Sequence, residues 1–223
     1  KGVDEGKDQS YVLYNLTQHQ LAHTIFPLGA YSKTEIREMA EKQNFCNARK
    51  HDSQDICFVP DGDYVGFMEQ YTGKHYPAGD YLDLEGNKVG THEGAVRYTI
   101  GQRRGLRLPM GDRVYVCGKD MEKNTVTVGP ESALFASRVI VRDMNWISVP
   151  ELTGEMRVKA KLRYRQKEQP AVAAPLADGR ILLTFDEAQR APAVGQAAVL
   201  YDGDTVVGGG TICAVPADTE DCV

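Results

Sequence analysis

The stretch HDSQDICFVP, residues 51–60, holds one thiol, Cys57, two positions after the carboxylate of Asp55 and just ahead of a Phe-Val-Pro exit. The other cysteines are Cys46, Cys117, Cys213 and Cys222, and no two of the set have the short spacing of a metal site or a dithiol redox motif. A solitary thiol supports two readings. It can act as a nucleophile or sulfur carrier, or it can be a small, half-buried residue at the end of a strand, because free cysteine is among the most buried side chains. The neighbouring charges do not decide. Arg49, Lys50 and His51 favour a thiolate, whereas Asp52 and Asp55 oppose it.

A second kind of chemistry lies in EMRVKAKLRYRQK. Arg157, Lys159, Lys161, Arg163, Arg165 and Lys167 fall at every second position. In a strand this alternation puts them on one face, with Val158, Ala160, Leu162 and Tyr164 on the other. A solvated outer face normally mixes signs, because like charges side by side repel. A run of one sign points to a polyanion such as a phosphate backbone. VRYTIGQRRGLRL adds Arg97, Arg103, Arg104 and Arg107, with Gly101 and Gly105 allowing tight turns that display them. The net charge is −5, so any nucleic-acid site must be a local patch. No helix-turn-helix, zinc-finger or RNP motif accompanies it. His19 and His23 have metal-compatible spacing but no third ligand, and neither HExxH nor GxxxxGK[ST] occurs, so no metal is expected.

These residues need elements to hold them. Residues 8–45 read as helical: Tyr11, Leu13, Tyr14, Leu16 and Leu21 suggest an apolar face, and Ser32-Lys33-Thr34-Glu35 is a capping box opening a helix to about Gln43. A loop at 47–54 leads into the strand-like step 56–59, and 61–71 reads as a helix stopped near Gly73. From Pro77 the texture is β, with hairpins around Glu85-Gly86-Asn87, within RVYVCGKDMEKNTVTVG, at Asp178-Gly179 and at Asp202-Gly203. Short strands at regular intervals suggest a barrel or sandwich at the C-terminal end. The glycine run in VVGGGTI reads as close packing or a bulge, since no helix follows it. The expected divisions are 1–60, mostly helical; 61–136, small and mixed; and 137–223, β.

The bulk composition is that of an ordinary globular chain: 223 residues, 42% hydrophobic and 26% charged. Five cysteines without framework spacing fit reduced thiols in a cytoplasm better than disulfides. No stretch approaches a membrane span, so no membrane partner is expected. The chain opens on KGVDEGKDQS without Met, which suggests a piece of a longer polypeptide.

KDQSYVLYNL, LGAYSKTEIREMAEK, DSQDICFVP, YTIGQRRGL, KLRYRQ and GQAAVLYDGDTVVGGGTI occur in this order, and together they resemble the bacterial tRNA-specific 2-thiouridylase family. The resemblance covers nearly the whole chain. It implies an α+β multidomain fold: the remnant of an ATP-pyrophosphatase-type α/β domain, a small central mixed domain and a C-terminal antiparallel β-barrel. It implies that Cys57 carries a persulfide, that Lys7, Asp8 and Gln9 contact tRNA, and that Arg163, Tyr164 and Gln196 contact it from the barrel. Asp55, Arg103, Arg104 and Lys161 are supporting candidates. Tyr164 strains the alternation, which puts it opposite Arg163, so a twist or bend is expected there. The implied reaction is 2-thiouridine formation at the wobble position of tRNAs for Lys, Glu and Gln. ATP with Mg2+ adenylates the uridine C2 oxygen, and sulfur arrives from a sulfur-relay protein or a cysteine desulfurase. Cys57 would then stand alone because its partner cysteine comes from another part of the polypeptide. The family's SGGVDSS phosphate loop is not in these residues, so the chain is expected to correspond to the C-terminal portion, to bind no ATP itself and to leave the helices of 1–59 short of the sheet that they pack on. A non-catalytic RNA-binding β module with a structural cysteine, or an argininosuccinate-synthase-like ligase, are the alternatives.

Overall fold

The computed structural model describes residues 1–50, 59, 62–109 and 113–216. Cys57, Asp55 and Cys222, and with them the strand-like step at 56–58, lie outside the described residues. Two compact units result, Lys1–Lys50 with Ala136–Val223, and His51–Phe135. The first and third stretches of the sequence thus share one unit. Among the described residues no helix is long and apolar enough to cross a membrane.

The helices are short because each is bounded by local chemistry. α1 (Ser10–Leu13) is a single turn. α2 (Gln18–Ala22) opens with a capping box in which the Thr17 side chain accepts from the Gln20 N–H and Gln20 reaches back. The T-x-x-Q signal for it is in the sequence, outside the boxes noted above. α3 (Lys33–Lys42) starts at the expected box, with Ser32 N–H donating to Glu35 at 2.7 Å. α4 (Tyr64–Thr72) is capped by Asp63, which accepts from Gly66 N–H at 3.0 Å, and closed by Gly73 at φ 67°.

The smaller unit is a four-stranded sheet in the order β2-β1-β4-β3. β1 (Gly79–Leu82) and β2 (Lys88–His92) form one expected hairpin, and β3 (Tyr115–Asp120) and β4 (Thr125–Gly129) form the other. The hairpins join through a parallel β1–β4 pair, which no local signal announces. Gly79 is required at this seam: a Cβ there would sit 2.1 Å from the Asn124 carbonyl oxygen and 2.7 Å from His92 Cε1. Tyr81, His92 and Tyr98 pack edge to face in the core, with centroids 5.2, 5.5 and 5.4 Å apart.

His92 is buried, and its Nδ1 accepts from Gly94 N–H at 3.0 Å, so the folded ring is neutral. Burial holds its pKa below the ordinary value. The unfolded chain protonates this ring near pH 6.5, while the folded chain resists. Stability that is present above about pH 6.5 is therefore lost as the pH falls below it. Denaturant midpoints should drop between pH 7.5 and 5.5, and His92→Leu should flatten that slope. A variant with the wild-type slope would assign the loss to another group.

The larger unit holds a closed barrel, ordered β10-β5-β8-β7-β6-β9. Its strands are β5 (Phe135–Trp146), β6 (Met156–Lys161), β7 (Gln169–Pro175), β8 (Ile181–Arg190), β9 (Ala197–Asp202) and β10 (Thr205–Ala214). Inward positions alternate along each strand, as in Val158 and Ala160 of β6 and Ile181, Leu183 and Phe185 of β8, and they fill the barrel with apolar side chains. The glycine run is a close-packing and bulge site, as its sequence suggested. A Cβ on Gly208 would lie 2.7 Å from the Asn145 carbonyl oxygen, and one on Gly210 would lie 2.5 Å from that of Arg142. Register shifts fall on the same residues.

The sequence leads the helices of 1–59 to be expected without the sheet that they pack on; the start of this segment docks on the barrel instead. Tyr11 and Tyr14 are buried against Val199 and Tyr201. Asn145 Nδ2 donates to the carbonyls of Tyr14 and Leu16 at 2.6 and 2.9 Å, and Gln18 Nε2 donates to that of Ile147 at 2.8 Å. The expectation does hold further along: α3 buries none of its residues, and Ile25, Leu28 and Phe45 are exposed.

Candidate nucleic-acid interface

The strand that carries the basic alternation is shorter than the pattern suggests. β6 ends at Lys161, so Arg157, Lys159 and Lys161 share a strand face and Arg163, Arg165 and Lys167 do not. Gln166 is the reason. Its side-chain oxygen accepts from Leu162 N–H at 3.1 Å, its amide donates to Gln189 at 2.7 Å, and its N–H donates to the Arg163 carbonyl. The chain therefore turns over 162–166 while Leu162 stays in the core. The bend expected at Tyr164 is this turn. Arg157 is also partly neutralised: its guanidinium grips both carboxylate oxygens of Asp186, raising the pKa of Arg157 and lowering that of Asp186.

The turn meets the KDQ segment. Gln9 Nε2 donates to the Tyr164 hydroxyl across 155 residues of sequence. The Tyr11 ring stands edge-on to the Tyr164 ring with centroids 6.1 Å apart, and the Tyr11 hydroxyl donates to the Ala197 carbonyl at 3.0 Å. Ala197 follows Gln196, whose side chain is exposed and whose carbonyl accepts from Ile212 N–H at 2.8 Å. Arg163 Nη2 donates to the carbonyl of Ala191, a buried residue at φ 55°, a conformation uncommon for a residue with a Cβ. The structure thus gathers Gln9, Arg163, Tyr164 and Gln196 around Tyr11. Lys7 is exposed beside them, and Lys161 Nζ lies 6.0 Å from the Tyr201 ring centroid.

Asp8 has a different position. Its carboxylate accepts from Gly2 N–H at 2.9 Å, from Ser10 N–H at 3.3 Å and from the Ser10 hydroxyl. Burial opposes the charge, but these bonds win and hold the carboxyl below its ordinary pKa. The Ser10 hydroxyl lies 3.2 Å from that of Tyr201, which is fully buried. Burial pushes the hydroxyls of Tyr11 and Tyr201 up to about 12, so both stay neutral donors. Asp8 therefore points its charge inward and anchors the loop that presents Lys7 and Gln9. Its local use is foreshadowed by D-Q-S, an Asx-turn type of sequence. Tyr11, Ser10 and Tyr201 carry no functional signal in the sequence beyond their elements; nothing there pairs residues some 190 positions apart.

Exposed glutamine and tyrosine side chains can bond and stack on a base, and the adjoining cations suit phosphates. Arg103 and Arg104 belong to the smaller unit, on the turn between Gly101 and Gly105. His19 and His23 sit 4.4 Å apart, ring to ring, with His23 Nδ1 against the His19 carbonyl. Among the described residues no three His, Cys, Asp or Glu side chains gather as a metal site.

Three family models match in succession: a tRNA methyl transferase HUP domain over residues 1–61, a tRNA methyl transferase PRC-barrel domain over 65–130 and an aminomethyltransferase β-barrel domain over 136–212. A relative from Thermoanaerobacter sp., described as a tRNA-specific 2-thiouridylase, is 50% identical over 212 residues, 95% of this chain and 58% of the relative. Similarly described proteins of Heliobacterium modesticaldum and Moorella thermoacetica are 47% and 49% identical over 95% and 96% of this chain. The chain spans 56% and 60% of their lengths.

Proposed function

The chain belongs to the tRNA-specific 2-thiouridylase family, and on that premise we propose that it grips tRNA through Lys7, Gln9, Arg163, Tyr164 and Gln196 and delivers sulfur to a wobble uridine from Cys57. The observation that carries the tRNA half of this reading is the Gln9–Tyr164 hydrogen bond. It joins two segments remote in sequence into one exposed polar and aromatic surface beside Lys7, Arg163 and Arg165.

The sulfur half rests on chemistry. A uridine C2 carbonyl is a poor electrophile. Once its oxygen is a good leaving group, the terminal sulfur of a Cys57 persulfide attacks C2 and the oxygen departs with the activating group. A second thiol then takes the inner sulfur, breaking the S–S bond and forming a disulfide that a thiol reductant must reopen. ATP with Mg2+ supplies the activation when bound. The SGGVDSS phosphate loop that the family resemblance implies is not among these residues, and the activation step is assigned to no residue described here. The base must leave its stack to be reached. The substrates are the tRNAs for Lys, Glu and Gln, the sulfur comes from a relay protein or a cysteine desulfurase, and the setting is the cytoplasm.

A double-mutant cycle tests the grip. Gln9→Ala and Tyr164→Phe should each weaken tRNA binding by the 223-residue chain several-fold, and the double variant should be little worse than either, because each removes the same bond. Additive losses would separate the two residues. No tRNA binding by the unaltered chain would remove the reading.

A further inference from the structure

The smaller unit carries an open depression of about 390 Å³ lined by Arg103, Gly105, Leu106, Arg107, Leu108, Arg113 and Val114. It lies wholly within that unit and shares no residue with the Gln9–Tyr164 surface. Resting on the tRNA reading above, we propose that this depression is a second, independent RNA contact, which takes a phosphodiester group of the strand on its arginine rim.

The floor is built from the core. Leu106 is buried, and Leu108 and Val114 pack against the cluster of Tyr81, Tyr98 and Val116. Leu108 lies so close to β2 that a Cβ on Gly90 would come 2.5 Å from its Cδ2. The rim is held rather than loose. Gly101 N–H donates to the Val116 carbonyl at 2.8 Å, and Val116 N–H donates to that of Gln102 at 2.9 Å. The Gln102 side chain ties Thr99 N–H to the Arg104 carbonyl, each bond at 3.0 Å. This lacing fixes a turn with Gly101 at φ 87°, Gly105 at φ 78° and Arg107 at φ 52°.

Charge identifies the occupant. Arg103, Arg107 and Arg113 are exposed around one hollow in a chain of net charge −5. Glu93 pairs with Arg107 at 2.7 Å and offsets one of the three cations. Three guanidinium side chains rising from a backbone held in this way suit a phosphate, to which each can donate in pairs. The structure also divides two arginines adjacent in sequence. Arg103 lines the hollow, whereas Arg104 does not.

The test is a salt titration of tRNA binding by the 223-residue chain. Removing one phosphate-binding cation should reduce the slope of log K against log salt by roughly one. Arg103→Ala and Arg113→Ala should each do so, and Lys88→Ala, which removes a cation paired with Asp80 on the same unit, should leave the slope unchanged. Unaltered thermal melting would place the effect in binding. The reductions should persist in a Tyr164→Phe background, because the two surfaces share no residue. Inorganic phosphate alone should perturb the Arg103 and Arg113 side-chain resonances only at millimolar levels, whereas tight saturation by phosphate would make the hollow a small-anion site and overturn the proposal. Wild-type slopes in both arginine variants, with tRNA still bound, would overturn it and leave the barrel surface standing. Failure of the unaltered chain to bind tRNA would overturn both.

Discussion

On the proposed function, replacing Cys57 by serine is expected to abolish 2-thiouridine formation while leaving tRNA affinity within about twofold of wild type. The reason is chemical rather than structural. A serine hydroxyl has nearly the size of the thiol but cannot hold sulfane sulfur, so the carrier is lost and the grip is not. The remaining cysteines set the comparison. Cys46 is exposed, Cys117 is half-buried with burial raising its pKa, and the Cys213 thiol donates to the Ile140 carbonyl. A raised pKa makes Cys117 a poorer nucleophile at neutral pH. Cys46→Ser, Cys117→Ser, Cys213→Ser and Cys222→Ser should each retain most of the turnover. Nucleoside analysis of tRNA from cells carrying only the variant reads the outcome. Thiolated uridine persisting with Cys57→Ser would remove the carrier assignment and return Cys57 to the reading of a small packed residue.

The second large effect is expected at Gly209, in the middle of β10. A Cβ at this position would lie 2.6 Å from Tyr14 Cδ2, 2.8 Å from Tyr14 Cγ and 3.0 Å from the Ala198 carbonyl oxygen. Strand β10 is paired on both sides here, to Asn145 and to Val199, so the backbone cannot retreat. The Tyr14 ring must move instead. Gly209→Val should therefore cost about 1–3 kcal/mol, the usual range for overpacking, and should lever the N-terminal segment off the barrel. Amide hydrogen exchange localises the loss. In the unaltered chain the amides of residues 10–16 should be protected by docking and those of α3 should exchange fast, since α3 buries none of its residues. In Gly209→Val the protection at 10–16 should vanish while β7 and β8 stay slow. Binding of tRNA should weaken with it, because the Gln9–Tyr164 bond depends on the same docking. Unchanged protection at 10–16 would mean that Tyr14 is not what holds the segment.

The sequence by itself determined whatever needs only a few neighbouring residues. The Ser32–Glu35 box, the Gly73 stop, the hairpin turns at Gly86, Gly179 and Gly203, and the tight packing of Gly208–Gly210 each follow from local backbone chemistry and are present where expected. The order of the motifs likewise specified the family and the α+β architecture with its barrel, because motif order survives without any knowledge of contacts. Only the tertiary structure decided where β6 stops, since that depends on Gln166 finding Gln189 on another strand. It alone joined the two hairpins of the smaller unit through parallel β1 and β4. It also turned Asp8 inward, set Tyr11 against Tyr164, and put Arg103 but not Arg104 on the hollow. Alternation and periodicity describe which face a side chain takes within an element. They carry no information about which element, 150 or 190 residues away, will cover that face, because that pairing is selected by the burial of the whole core.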